Sequence, residues 1–188
     1  MNLELSGSQV ETISGCKVYS YHDLISYFEL EEILQNKPGF TILYEDHYDE
    51  GHYCGVLVNN HGIEFFDPYG FGKFNKIKSS NELSLHDIDD EINFSRYDKN
   101  LNFDQCHTLK YLIGDYAKRN DKKIIINHHQ FQELDDNIST CGRWVGYRLR
   151  CHDLSLQQFE KLGLNDKKIV EITNKILDPN SQNFIGSD

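Results

Sequence analysis

Residues 51 to 67 constrain this chain more than any other stretch. Gly51-His52-Tyr53-Cys54-Gly55-Val56-Leu57-Val58 is followed by Asn59-Asn60-His61-Gly62 and then by Ile63-Glu64-Phe65-Phe66-Asp67. Two runs of β-branched and aromatic residues around an Asn- and Gly-bearing turn read as a β-hairpin. A turn of even length centred on Asn60-His61 sets Cys54 opposite Asp67 and His52 opposite Tyr69. Side chains two apart on a strand share a face, so His52 and Asp67 project to one side as diagonal neighbours. Such diagonals span about 7–8 Å, within reach for an imidazole and a carboxylate. Glu64, the other acid of the second strand, points to the opposite face by the same parity.

Around the hairpin, strands alternate with helical patterns. Phe40-Thr41-Ile42-Leu43-Tyr44 and Lys123-Ile124-Ile125-Ile126-Asn127 are β-rich runs. Ser20 to Gln35 reads as short helical segments, stopped by Lys37-Pro38-Gly39. Asp104 to Arg119 carries Leu109, Leu112, Ile113 and Tyr116 at helical spacing. Further helices are expected over Thr140–Cys151, Ser155–Leu162 and Asp166–Leu177. Residues 71–103 read as loop-rich, with a short helix near Glu82 to Asp90 and a short strand near Phe94. Residues 178–188 have little to bury and read as a loose tail. No repeat or Gly/Ser/Pro linker divides the chain, so residues 1–188 are expected to form a single domain.

Composition narrows the function classes. A net charge of −11 argues against a general nucleic-acid binder, because phosphate binding is driven by cationic neutralisation. The basic residues Lys118, Arg119, Lys122, Lys123, Arg143, Arg148 and Arg150 read as solvated or helix-terminal charges. Five cysteines without a CxxC pair fit free thiols in a reducing compartment. The adjacent pairs Cys106-His107, His128-His129 and Cys151-His152 lack the spacers of zinc sites, so neither metal nor cofactor is expected. No apolar run approaches the ~20 residues that cross a membrane, and Met1 to Ser6 has no signal-peptide pattern.

Cys141 carries the chemistry. It precedes the helix-like run Gly142-Arg143-Trp144-Val145-Gly146-Tyr147-Arg148-Leu149 and follows the cap-type residues Asn137, Ser139 and Thr140. A thiol in the first turn of a helix feels the positive end of the backbone dipole, which favours thiolate. Each residue alone has a structural reading: a packed thiol, a strand histidine, an Asp-Pro-Tyr-Gly turn. Taken in order, His52, Asp67 and Cys141 outline a cysteine-nucleophile hydrolase. His52 would move the proton, Asp67 would hold its tautomer, and Cys141 would attack a carbonyl. The oxyanion would be met by the Cys141 backbone N–H and by a side-chain amide from Gln130, Gln132 or Asn137.

Gly51-His52-Tyr53, Phe66-Asp67-Pro68-Tyr69-Gly70, Gln130-Phe131-Gln132 and Ser139-Thr140-Cys141-Gly142-Arg143-Trp144 together resemble the adenain-like cysteine proteases. These stand in one superfamily with the ubiquitin-like-modifier proteases. The resemblance spans residues 15 to 155. It implies an α+β, papain-like fold: a central mixed, largely antiparallel sheet flanked by helices, with the nucleophile heading a core helix. It also implies His52 as base, Asp67 as orienting acid, Cys141 as nucleophile and Gln132 as the oxyanion glutamine. Tyr53 stands where the family has Trp, and Gln132 lies farther from Cys141 than is usual. The chain is small and lacks a modifier-binding extension. It therefore resembles most the branch of double-stranded DNA viruses, virophages and Polinton-type transposons, whose members mature capsid proteins. The implied activity is endopeptidase cleavage of capsid precursors at Gly-containing sites, in host cytoplasm, viral factory or virion. An activating viral peptide or DNA is known in the adenovirus branch, and the acidic charge offers DNA no support. Removal of ubiquitin or a similar modifier is the alternative.

Overall fold

The computed structural model describes residues 4–47, 50–70, 103–133 and 139–179. The helix near Glu82 to Asp90, the strand near Phe94, Asn137 and the tail from residue 180 lie outside them. The element order is α1 (Gly7–Ser14), β1 (Val18–Ser20), a 3-10 turn (Tyr21–Ser26), α2 (Leu30–Leu34), β2 (Gly39–His47), β3 (Glu50–Asn59) and β4 (Gly62–Phe66). Then come α3 (Phe103–Arg119), β5 (Ile124–Ile126), α4 (Cys141–Arg150), α5 (Leu156–Glu160) and α6 (Asp166–Leu177).

The protein is α+β, with a five-stranded mixed sheet ordered β1-β2-β3-β4-β5 and helices on its faces. The central pairings, β2–β3 and β3–β4, are antiparallel and carry the longer ladders, and short parallel strands pair at both ends. The hairpin takes the expected register, from Asn59↔Gly62 to Gly55↔Phe66.

Because strand side chains alternate, β3 feeds two cores. Cys54 and Val56 join Phe40, Ile42, Ile63 and Phe65 beneath α2 and α3, through Leu30, Ile33, Leu109 and Ile113. Tyr53 and Leu57 join Phe66 beneath α1, α4, α5 and α6, through Val10, Ile13, Trp144, Leu149, Phe159 and Ile169. A strand covered on both faces reads as a nearly continuous apolar run, as 53–58 does. Trp144 is wholly buried, with the rings of Phe131 and Phe159 beside it. Truncating such a side chain to Ala costs about 3–5 kcal/mol.

The segment from Ser20 to Gln35 splits as its sequence implies, and Gln35 and Asn36 both take positive φ at the stop. Helix α1 and strand β1 carry no expectation from the sequence. Ser6 and Gln9 cap α1 reciprocally, and Gly15 closes it with φ 70°. No helix among the described residues is long and apolar enough to cross a membrane.

Two arginines correct the sequence reading of solvated charge. Arg143 is buried and donates to Thr173 Oγ1 at 2.7 Å and Asn174 Oδ1 at 2.8 Å. Arg148 is fully buried, and its guanidinium meets both oxygens of Glu64 at 2.9 and 2.8 Å. Nothing local in the sequence marks these arginines as facing the sheet and α6.

Candidate active site

The β3–β4 register delivers His52 and Asp67 to one face. Asp67 is the first residue past β4, and His52 Nε2 lies 2.9 Å from its Oδ1. The imidazole is 4% exposed and the carboxylate 15%. The same Oδ1 accepts the Tyr69 backbone N–H at 2.9 Å, so the carboxylate is fixed by its own turn. The Tyr69 ring stacks on the imidazole, with centroids 4.8 Å apart and planes 16° apart.

A second segment clamps this turn. Asn127, fully buried just past β5, accepts the Asp67 N–H at 2.8 Å and donates to the Asp67 carbonyl at 2.7 Å. It also donates to the His129 carbonyl at 3.1 Å. The Phe131 and Gln132 N–H groups both donate to the Pro68 carbonyl at 2.9 Å. Gly70 permits this contact: its φ is 72°, and a Cβ there would stand 2.6 Å from the His129 oxygen.

Cys141 is the first residue of α4 and is 5% exposed. Helices α1, α5 and α6 begin with side-chain caps from Ser6, Ser155 and Asn165, whereas Thr140 makes none. Its hydroxyl donates instead to Asp166 Oδ1, which also accepts Trp144 Nε1–H at 2.8 Å. Asp166 Oδ2 accepts the Glu133 N–H at 3.0 Å. One carboxylate thus ties the start of α4 to the segment bearing Gln132. Gly142 lets α4 lie close on β3, because a Cβ there would meet Tyr53 Cδ2 at 3.0 Å and Val10 Cγ2 at 2.9 Å. Tyr53 fills that space and sends its hydroxyl to the Leu5 carbonyl at 3.2 Å.

The Cys141 thiol is within hydrogen-bonding reach of the His52 imidazole. With Nε2 committed to Asp67, Nδ1 is the nitrogen left to face a thiol. Burial works against a charged His52. The Asp67 carboxylate and the neighbouring thiols outweigh it, so the imidazole holds its proton well above its ordinary range. Cys54, two residues along β3, also reaches the imidazole. Burial first, and then the Asp67 carboxylate, push its thiol up to about 12.

The chain is similar to the uncharacterized protein V9 of Sputnik virophage, 27% identical over 146 residues, which are 77% of this chain and 73% of that protein. No family model matches it, and no solved structure does. The similarity links the chain to a virophage protein and carries no activity with it.

The structure brings His52, Asp67 and Cys141 together. Gln132 joins them from the side: it is 1% exposed, and its Nε2 donates to the Tyr69 hydroxyl at 3.3 Å. Gln130 turns its amide onto the Gln132 carbonyl at 2.9 Å, and Asn137 lies outside the described residues. Glu64 stands on the opposite face with Arg148, as strand parity requires. Sequence reasoning missed Asn127, Asp166 and the nearness of Cys54 to His52. Of these only Cys54 left a signal, since residues two apart on a strand share a face. His52, Cys54 and Asp67 each place one donor atom within 4.8 Å of the others, the one such group among the described residues able to hold a metal ion.

Proposed function

We propose that this chain is a cysteine endopeptidase of the adenain-like kind, with a papain-like arrangement of helix-borne thiol and sheet-borne histidine. The observation that carries the reading is the unbroken chain from the Cys141 thiol through the His52 imidazole to Asp67 Oδ1, 2.9 Å beyond it. In this reading the Cys141 sulfur adds to the scissile carbonyl carbon, and the carbonyl electron pair moves to oxygen. The C–N bond then breaks as His52 gives its proton to the departing amine, leaving a thioester on Cys141. His52 next takes a proton from water, the resulting hydroxide attacks the thioester carbon, and the C–S bond breaks to release the acid product and return the Cys141 thiolate beside protonated His52. Asp67 keeps Nε2–H engaged throughout, so Nδ1 is the atom that exchanges protons. The uncapped start of α4 offers the Cys141 N–H to the oxyanion, and Gln132 Nε2 is the second donor.

The substrates in this reading are virion precursor proteins, cut at Gly-containing sites in the infected cell or the maturing particle. The sequence resemblance and the similarity to a virophage protein support that assignment. The test is cleavage of short Gly-containing peptides by wild-type protein and by Cys141→Ala, beside the same peptides fused behind a ubiquitin-like domain. Wild-type protein is expected to cut the free peptides and Cys141→Ala to cut none while staying folded. Turnover by Cys141→Ala would end the scheme. A preference above about a hundredfold for the intact modifier would move the protein to the deconjugating enzymes, which draw their binding energy from the modifier's folded surface.

A further inference from the structure

We infer that His52, Cys54 and Asp67 form a binding site for a soft divalent cation such as Zn²⁺, and that occupancy takes His52 out of proton transfer. The occupant's effect on cleavage rests on the proposed function; its binding does not.

Three side chains of different donor type place their ligand atoms within 4.8 Å of one another. Zinc bonds of about 2.0–2.3 Å in a tetrahedron set donor atoms about 3.3–3.8 Å apart, so modest side-chain rotations close the set. Imidazole nitrogen and thiolate sulfur are the donors that zinc prefers over the hard cations, which favour oxygen. Asp67 is useful in either of two positions. It can ligate directly, or it can stay on His52 Nε2 and orient the ring, as carboxylates commonly do behind metal-bound histidines.

Cys54 also has no part in peptide cleavage as derived above. It makes and breaks no bond in that sequence, yet its sulfur completes a nitrogen–sulfur donor set. With the His52 nitrogen engaged by the ion, no proton carrier remains beside Cys141.

The experiment titrates reduced full-length protein with Co²⁺ as a spectroscopic probe and then displaces it with Zn²⁺. Wild-type protein should develop a thiolate-to-cobalt charge-transfer band and tetrahedral ligand-field bands that Zn²⁺ abolishes. Cys54→Ala should weaken Co²⁺ binding by about tenfold or more, in the range typical for losing a metal-site partner. It should also raise by a similar factor the Zn²⁺ concentration that halves peptide cleavage, while cleavage in chelator stays near wild type. Zinc-edge X-ray absorption on wild-type protein gives an answer should the variant not fold, with sulfur and imidazole scattering expected together. Absence of the charge-transfer band, equal affinity in Cys54→Ala, or an oxygen-only zinc environment would overturn the inference. Cobalt binding by a protein that cuts no peptide would sink the protease reading and leave this site standing.

Discussion

The β3–β4 hairpin presents a carboxylate on each of its faces, and the two have opposite characters. On one face Glu64 meets Arg148 through both oxygens, at 0% and 2% exposure. The guanidinium has further acceptors in the Cys151 and Leu154 carbonyls, at 2.9 and 3.0 Å, and lies over the Phe159 ring. On the other face Asp67 meets His52 through one oxygen, and the far side of the imidazole looks onto thiols. The first pair is saturated and buries a fixed charge. The second keeps a titratable proton and faces thiols on its other side. Burial and pairing are common to both, and a titratable group beside thiols marks the second.

Asp67→Ala should strike the difference hardest. Loss of the group that orients His52 is expected to lower kcat/KM by about 10²–10⁴-fold, the range of a positioned acid–base group. Asp67→Asn is the milder companion. The Tyr69 N–H holds an acceptor at the Oδ1 position, so the amide oxygen stays on Nε2–H and only the charge is lost. Burial of His52 then loses its main opponent, its pKa falls, and the alkaline limb of the pH–rate profile moves to lower pH. In wild type the folded pKa lies above the unfolded value of about 6.5. The stabilisation by this pair is therefore complete below that value and disappears as pH rises through the folded pKa. An alkaline limb unmoved in Asp67→Asn would show that His52 is not the titrating group.

Glu64→Gln should do the reverse. It leaves the Arg148 charge uncompensated in the core and is expected to cost about 3–5 kcal/mol in denaturant unfolding, with cleavage per folded molecule near wild type. A large loss of specific activity at unchanged stability would erase the contrast between the faces.

Asn127→Ala falls between. It strips partners from the buried N–H and carbonyl of Asp67, at about 1–3 kcal/mol for a group left unpaired. Because it also loosens the catalytic turn, kcat should fall more than KM rises. Stability loss with intact kcat would make Asn127 a structural clamp only.

The hairpin was legible in the sequence because its information is local. The turn at Asn59 to Gly62 sets the register, and the register decides that Asp67 joins His52 while Glu64 does not. Helix α6 was equally plain, from Asp166 to Leu177, because its apolar residues recur at helical spacing. Arg148, Asn127 and Asp166 were not legible, since each is defined by a partner 60 to 84 positions or, for Trp144, 22 positions away. An Asn after an isoleucine run and an Asp at a helix start look alike whether they face solvent or hold a site together. Strand β1 escaped for a related reason: three residues carry no period, and only pairing with β2 makes them a strand.

The hold of Asp166 on Thr140 and Trp144 has a consequence for biosynthesis. A ribosome delivers His52, Asp67 and Cys141 before it delivers Asp166. The nascent chain therefore carries every reactive group while the start of α4 still lacks its anchor. Competence arrives only when α6 has emerged and docked, so premature termination or clipping within residues 151–165 would leave a chain with all three reactive side chains and no working site. For the protease proposed above, that order would delay the first cut until the fold is finished.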